Sequence, residues 1–173
     1  TSLFSNTSLG CLELLKNISG IKIYGLTTGY KEAQSLSEKF KIQKIFTPDD
    51  FYTATNKMNI NFNVIIDPFP DIHINYLHSY LNYSSRYISC GMSSHQNEKI
   101  DFYKILYSLI VSNSQFIGNC LGLPYDLKAV INEYSHERYK VYVDSVYTGR
   151  QISDFINKSF NERHFGKVVY SYE

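Results

Sequence analysis

Tryptophan is absent from this chain, and cysteine is scarce. Cys11, Cys90 and Cys120 stand far apart, with no CxxC pair. That spacing excludes a disulfide framework and a cysteine-based zinc site, and it fits reduced thiols in a cytoplasmic protein. An excess of either charge is also missing, since 17 basic residues face 16 acidic ones. This argues against a basic stripe for nucleic acid and against an acidic tail. No apolar run is long enough to span a bilayer, and no signal-peptide pattern is visible. Residue 1 falls just before an expected strand, so the chain reads as an excised domain and a removed targeting segment stays open. His73 and His78 lie five apart, off metal-ligand spacing, and there is no H-E-x-x-H, so a metal centre is not expected. The 16 tyrosines lack the flanking Lys and Arg of a base-stacking surface and read as compositional drift.

What is present is a regular alternation. Leu3-Phe4, 21–26, 44–46, 63–67, 86–91 and 114–118 read as strands, and helical spacing fills 9–17, 31–40, 72–81 and 102–111. Thr47-Pro48-Asp49-Asp50 reads as a turn or helix cap. The run Asn63-Val64-Ile65-Ile66-Asp67 is β-branched and continuous, as suits a parallel strand covered on both faces. The expected fold is therefore α/β: a doubly wound, mostly parallel Rossmann-type sheet over 1–122. A short α+β extension over 123–173 follows, with helices at 125–134 and 151–160 and strands at 140–143 and 166–170. It either completes the sheet or returns to a neighbouring domain.

Ser5-Asn6-Thr7-Ser8-Leu9-Gly10 stands where a dinucleotide-binding domain places G-x-G-x-x-G, and only the third glycine, Gly10, remains. Gly10 is expected to let helix pack on strand. Backbone N–H groups at a helix start attract anions whatever the side chains, and Ser5, Thr7 and Ser8 add hydroxyls. The loop thus reads either as a pyrophosphate cradle or as a cap that binds nothing. At the end of the second strand, Thr27-Thr28-Gly29-Tyr30-Lys31 offers no carboxylate. That favours NADP(H) over NAD(H), with Lys31 toward a 2′-phosphate and Tyr30 toward adenine, if any cofactor binds.

The collinear order of these segments resembles the cofactor-binding half of the medium-chain dehydrogenase/reductase superfamily. The nearer likeness is to the zinc-independent quinone oxidoreductases and the enoyl reductase domains of polyketide synthases. It rests on 63–67, Ser85–Gly91, Phe116–Gly122, Val143–Tyr147 and Arg163–Val169. The resemblance implies an NADPH-dependent enoyl or quinone reductase domain, or a catalytically inactive scaffold in a multidomain synthase. It implies cofactor contacts from Ser5, Thr7, Ser8, Leu9, Gly10, Thr27, Thr28, Tyr30 and Lys31. It adds the strand-end loops with Pro68, Phe69, Gly91, Met92, Asn119 and Cys120, bordered by Ser93, Ser94 and Leu121. Cys120 has no base nearby in sequence and reads as a buried structural thiol. Asp67 reads as buried and hydrogen-bonded, and no catalytic residue stands out. Family members carry an N-terminal domain before this region, so that domain or other synthase domains are the implied partners, with a homodimer through the sheet edge near Phe116. A Rossmann-like methyltransferase is a weaker alternative, opposed by the closing Gly166-Lys167-Val168-Val169.

Overall fold

The computed structural model describes residues 1–93, 99–120 and 122–172, with the backbone alone described at 30–32, 52 and 55–57. The chain forms two compact units. The first joins Thr1–Leu3 to Lys22–Leu123, and the second joins Phe4–Ile21 to Pro124–Glu173.

The first unit contains β1 (Ile23–Leu26), α2 (Tyr30–Phe40), β2 (Ile42–Phe46), α3 (Pro48–Met58), β3 (Phe62–Asp67), α4 (Pro70–Leu77), β4 (Leu81–Ser89), α5 (Phe102–Val111) and β5 (Gln115–Gly118). The second contains α1 (Asn6–Leu15), α6 (Pro124–Ser135), β6 (Val143–Thr148), α7 (Ile152–Phe160) and β7 (Lys167–Ser171). Every pairing among the described strands is parallel: β1 with β2, β3 with β4, β4 with β5, and β6 with β7. This is the expected α/β class, and helices follow strands throughout.

Two expectations need correction. Leu3-Phe4 is a turn, not a strand. Ser2 adopts a left-handed φ of 43°, and Thr1–Leu3 makes a single backbone hydrogen bond to each side. The parallel array is therefore interrupted between β1 and β3. The strand expected at 140–143 lies later in the chain, as β6 (Val143–Thr148). Thr47-Pro48-Asp49-Asp50, read as a turn or helix cap, is the cap of the eleven-residue α3. The Thr47 hydroxyl accepts from the Asp50 N–H at 3.2 Å and donates to the Asp50 carboxylate at 2.8 Å, while Pro48 takes the first helical position. That is a reciprocal N-terminal cap with a proline pre-set for the helix.

The core of the first unit is one cluster drawn from Leu26, Phe46, Phe51, Ile65, Leu77 and Tyr87 with their neighbours. The Phe51 ring sits edge-on to both Phe46 and Tyr80, with centroids 5.4 and 4.9 Å away. Such pairs add roughly 0.5–1.5 kcal/mol each beyond the area they bury. Ala33, Leu36 and Phe40 bury the inner side of α2. Gly25 has no side chain because Leu3 packs there: a Cβ would come within 3.1 Å of its methyl group.

Candidate functional site

Parallel strands put all their C-terminal ends on one side, and in the first unit these ends carry the candidate loops. The loops are tied to one another. The Cys90 N–H donates to the Asp67 carbonyl at 3.0 Å, and the Asn119 N–H to the Ser89 carbonyl at 2.7 Å. Gly91 lies so close to the Pro68 carbonyl that a Cβ would stand 2.9 Å from it. Pro68 is buried, Phe69 is half-buried, and Gly91, Met92, Asn119 and Cys120 are exposed. Cys120 is thus a surface thiol rather than a buried structural one.

Beneath this rim lies a polar hub that sequence reasoning did not assemble. Asp67 closes β3 and is shut from solvent. It accepts from the Phe69 N–H at 3.0 Å, is bonded to His73 Nδ1 at 2.9 Å, and accepts from the hydroxyls of Tyr87 and Thr1. Burial alone would raise its pKa. The His73 contact, with help from Thr1 and Tyr87, outweighs burial and holds the carboxyl below its ordinary value. Burial and the neighbouring Asp67 charge push the Tyr87 phenol far above its usual range. Tyr87 therefore keeps its proton and donates a hydrogen bond to Asp67, so the hub ties β3, β4 and α4 together. The available signal was the spacing Asp67-Pro68-Phe69-Pro70-x-x-His73. Pro70 at the first helical position fixes the phase of α4 and turns His73 back onto the strand end. Asp71 adds a second tie, accepting from the Ser93 N–H at 2.9 Å and the Ser93 hydroxyl at 2.5 Å.

Near the end of β1, Thr27 is buried and its hydroxyl accepts from the Gly29 N–H at 3.2 Å. Thr28 is exposed. Tyr30 and Lys31 open α2, with their side chains outside the described residues. Ser94, His95 and Leu121 also lie outside the described residues.

In the second unit, the expected phosphate loop is a helix cap. Ser5 is the N-cap of α1: its hydroxyl accepts from the Ser8 N–H at 3.1 Å and bonds the Ser8 hydroxyl at 3.0 Å. Ser8 and Leu9 are buried, so their side chains are not presented to a ligand. Asn6 and Thr7 are exposed in the first turn, where helix N–H groups have no intrahelical partner. Gly10 has a different role from the one expected: a Cβ there would stand 2.9 Å from the Tyr139 hydroxyl. Also on α1, the fully buried Glu13 accepts from the Tyr142 hydroxyl at 2.6 Å and pairs with Lys16. Among the described residues, no group of three or more His, Cys, Asp or Glu is placed to hold a metal, and no helix is long and apolar enough to cross a membrane.

No protein-family model and no curated protein sequence matches the chain. Solved structures do. A thermostable alcohol dehydrogenase from Pyrobaculum aerophilum, solved with cobalt and zinc, superposes with a TM-score of 0.77 at 19% identity, over 98% of this chain and 48% of its own. An E. coli alcohol dehydrogenase complexed with NADH gives 0.78 at 12%, over 97% and 50%. A mycobacterial quinone oxidoreductase gives 0.77 at 11%, over 97% and 54%. The chain thus spans about half the length of the structures it matches. At these identities the likeness is one of fold: this chain shares the α/β fold of about half of each of these alcohol dehydrogenases and of this quinone oxidoreductase.

Proposed function

We propose that this chain is the cofactor-binding portion of an NADPH-dependent medium-chain reductase, of the enoyl or quinone reductase kind, within a larger enzyme or synthase. The observation that supports this most is the reach of the fold likeness, nearly all of this chain against about half of each oxidoreductase. Each unit, taken by itself, holds residues compatible with a part of a dinucleotide. In the second unit, the exposed first turn of α1 offers the backbone N–H groups of Asn6 and Thr7 to a phosphate. In the first unit, Thr27–Lys31 after β1 holds no carboxylate, and Thr28 stands exposed for a 2′-phosphate, with Lys31 the charge in that segment. The exposed backbone at Gly91, Met92 and Asn119 is suited to a nicotinamide carboxamide. When bound, NADPH supplies a hydride to an electrophilic carbon, and this chain's share is to hold it.

The partner is an N-terminal domain of the same polypeptide or another synthase domain. A homodimer would form through the exposed β5 edge, where Phe116 and Ile117 face solvent. The protein would work in the cytoplasm.

A second reading is an inactive scaffold of the same fold. It is favoured by the Ser5–Ser8 cap, which spends both hydroxyls on the protein itself. A thermal-shift titration with NADPH, NADH and S-adenosylmethionine separates the readings. At a hundred times its dissociation constant, a ligand of the native state stabilises it by about 2.7 kcal/mol. Stabilisation by NADPH beyond NADH supports the reductase, and stabilisation by S-adenosylmethionine alone points to a methyltransferase. No shift with any of them leaves the scaffold. If NADPH binds, Lys31→Ala should weaken it more than NADH, and equal losses would remove Lys31 from the 2′-phosphate.

A further inference from the structure

In the first unit, the loop after β4 runs Cys90-Gly91-Met92-Ser93 and carries no charged side chain. It is neither helix nor strand, so its backbone groups must find partners elsewhere. At its near end the Cys90 N–H donates to the Asp67 carbonyl at 3.0 Å, and Gly91 lies against the Pro68 carbonyl. At its far end two donors of Ser93 go to one carboxylate. The Ser93 N–H donates to Asp71 Oδ1 at 2.9 Å, and the Ser93 hydroxyl donates to Asp71 Oδ2 at 2.5 Å. Only Gly91 and Met92 stand between the two ties, and both are exposed, Met92 at 63%.

A carboxylate in the first turn of a helix is ordinary when it stands in solvent, because it complements the helix N-terminus. Asp71 is in the first turn of α4, yet it is only 8% exposed and is turned onto the loop. Burial acts to raise its pKa, and the hydroxyl and N–H of Ser93 outweigh burial and hold the carboxyl below its ordinary value. It is therefore ionised at neutral pH, and both oxygens accept. Hydrogen bonds to an ionised group are stronger than neutral ones. A loop held this way is ordered before any ligand arrives, and a site ordered in advance loses less freedom on binding.

We infer that Asp71 is the positioning residue of this rim: by clamping Ser93 it holds Gly91 and Met92 in a single conformation, and it thereby sets the affinity for the nicotinamide end of the cofactor and not for the adenosine end. This role rests on the cofactor reading, and Asp71 itself meets no ligand, because Ser93 takes both its oxygens. Asp67 and Asp71 thus divide the work. Asp67 ties strands to helix, and Asp71 ties the loop to that helix.

The test compares NADPH with 2′-phospho-ADP-ribose, the same molecule without its nicotinamide, and runs NADH and ADP-ribose beside them. Calorimetric titration of the full chain gives each affinity. Asp71→Ala should lower the affinity for NADPH by at least about tenfold and leave that for 2′-phospho-ADP-ribose within about twofold. Ser93→Ala removes the hydroxyl and keeps the N–H, and should lower the affinity for NADPH by about threefold. The double variant should bind no worse than Asp71→Ala alone, as expected of two residues acting through one contact. Amide exchange at Met92 should quicken in Asp71→Ala while that at Ile65 stays as in the native protein. Should Asp71→Ala not fold, Ser93→Ala decides by the same contrast between ligands. Equal losses for both ligands, no loss for either, or unchanged exchange at Met92 overturns the positioning role and leaves the cofactor reading standing. A native chain that binds none of the four ligands overturns both.

Discussion

In the first unit Phe46, Phe51, Leu77 and Tyr87 are shut from solvent in one cluster, whereas in the second neither α6 nor α7 buries any residue. Both units use the same ingredients, amphipathic helices beside β-branched strands. The difference is strand number. The first unit has a three-stranded sheet and a parallel pair for its helices to cover, while among the described residues the second has only the pair β6 and β7. A parallel pair cannot close a core alone. The second unit instead holds together through Phe155, set between Tyr147 and Tyr170 at 6.3 and 5.6 Å, and through α1, which buries Leu9, Leu12 and the carboxylate of Glu13. Apolar burial holds one unit, and a few polar and aromatic contacts hold the other.

The largest effect should come from cutting the core of the first unit. Phe51→Ala removes a ring that contacts Phe46 and Tyr80, and should cost about 3–5 kcal/mol in urea unfolding. Asp67→Ala comes next. It leaves Phe69, His73 and Tyr87 without their acceptor inside the unit, at a cost of about 3 kcal/mol. The same group sets a pH dependence. Because the folded carboxyl titrates below the unfolded one, its contribution is complete above about pH 3.9 and is lost as pH falls toward the folded value. The stability gap between the native protein and Asp67→Asn should therefore narrow below pH 4, and a gap that widens there would reverse the assigned direction.

Effects in the second unit should be smaller. Tyr142→Phe removes one hydrogen bond to Glu13 and should cost about 1 kcal/mol. A loss as large as that of Phe51→Ala would show that the second unit has a core of its own strength. Smallest of all is Arg138→Ala. The guanidinium holds Glu133 with two 2.7 Å bonds on an exposed surface, where pairing is offset by solvation and side-chain entropy. Its unfolding midpoint should match that of the native protein within error.

Most of the fold was legible in the sequence because element type is written in local periodicity. The β-branched run at 63–67 and the helical spacing at 102–111 each name their own structure. The helix after Thr47 was not followed because Thr53, Thr55 and Asn56 are poor helix formers, and the cap and tertiary packing outweigh them. Leu3-Phe4 looked like a strand from its apolar residues, but a strand needs a ladder, and one bond on each side is not one. The candidate site was less legible. Serines in a loop read as donors until Ser5 and Ser8 are seen to satisfy each other. Cys120 read as buried because its exposure depends on what the following chain covers.

The sequence by itself determined the alternation of strands and helices, the parallel α/β class and the lack of a carboxylate within Thr27–Lys31. Each follows from residue type and spacing within a dozen positions. Tertiary structure alone decided that Asp67 gathers Thr1, Phe69, His73 and Tyr87, that Gly10 makes room for Tyr139, and that β1 pairs with β2 while β3 pairs with β4. Most of those partners lie far apart along the chain, and a hydrogen bond or a close contact is set by packing in space, which no local pattern encodes.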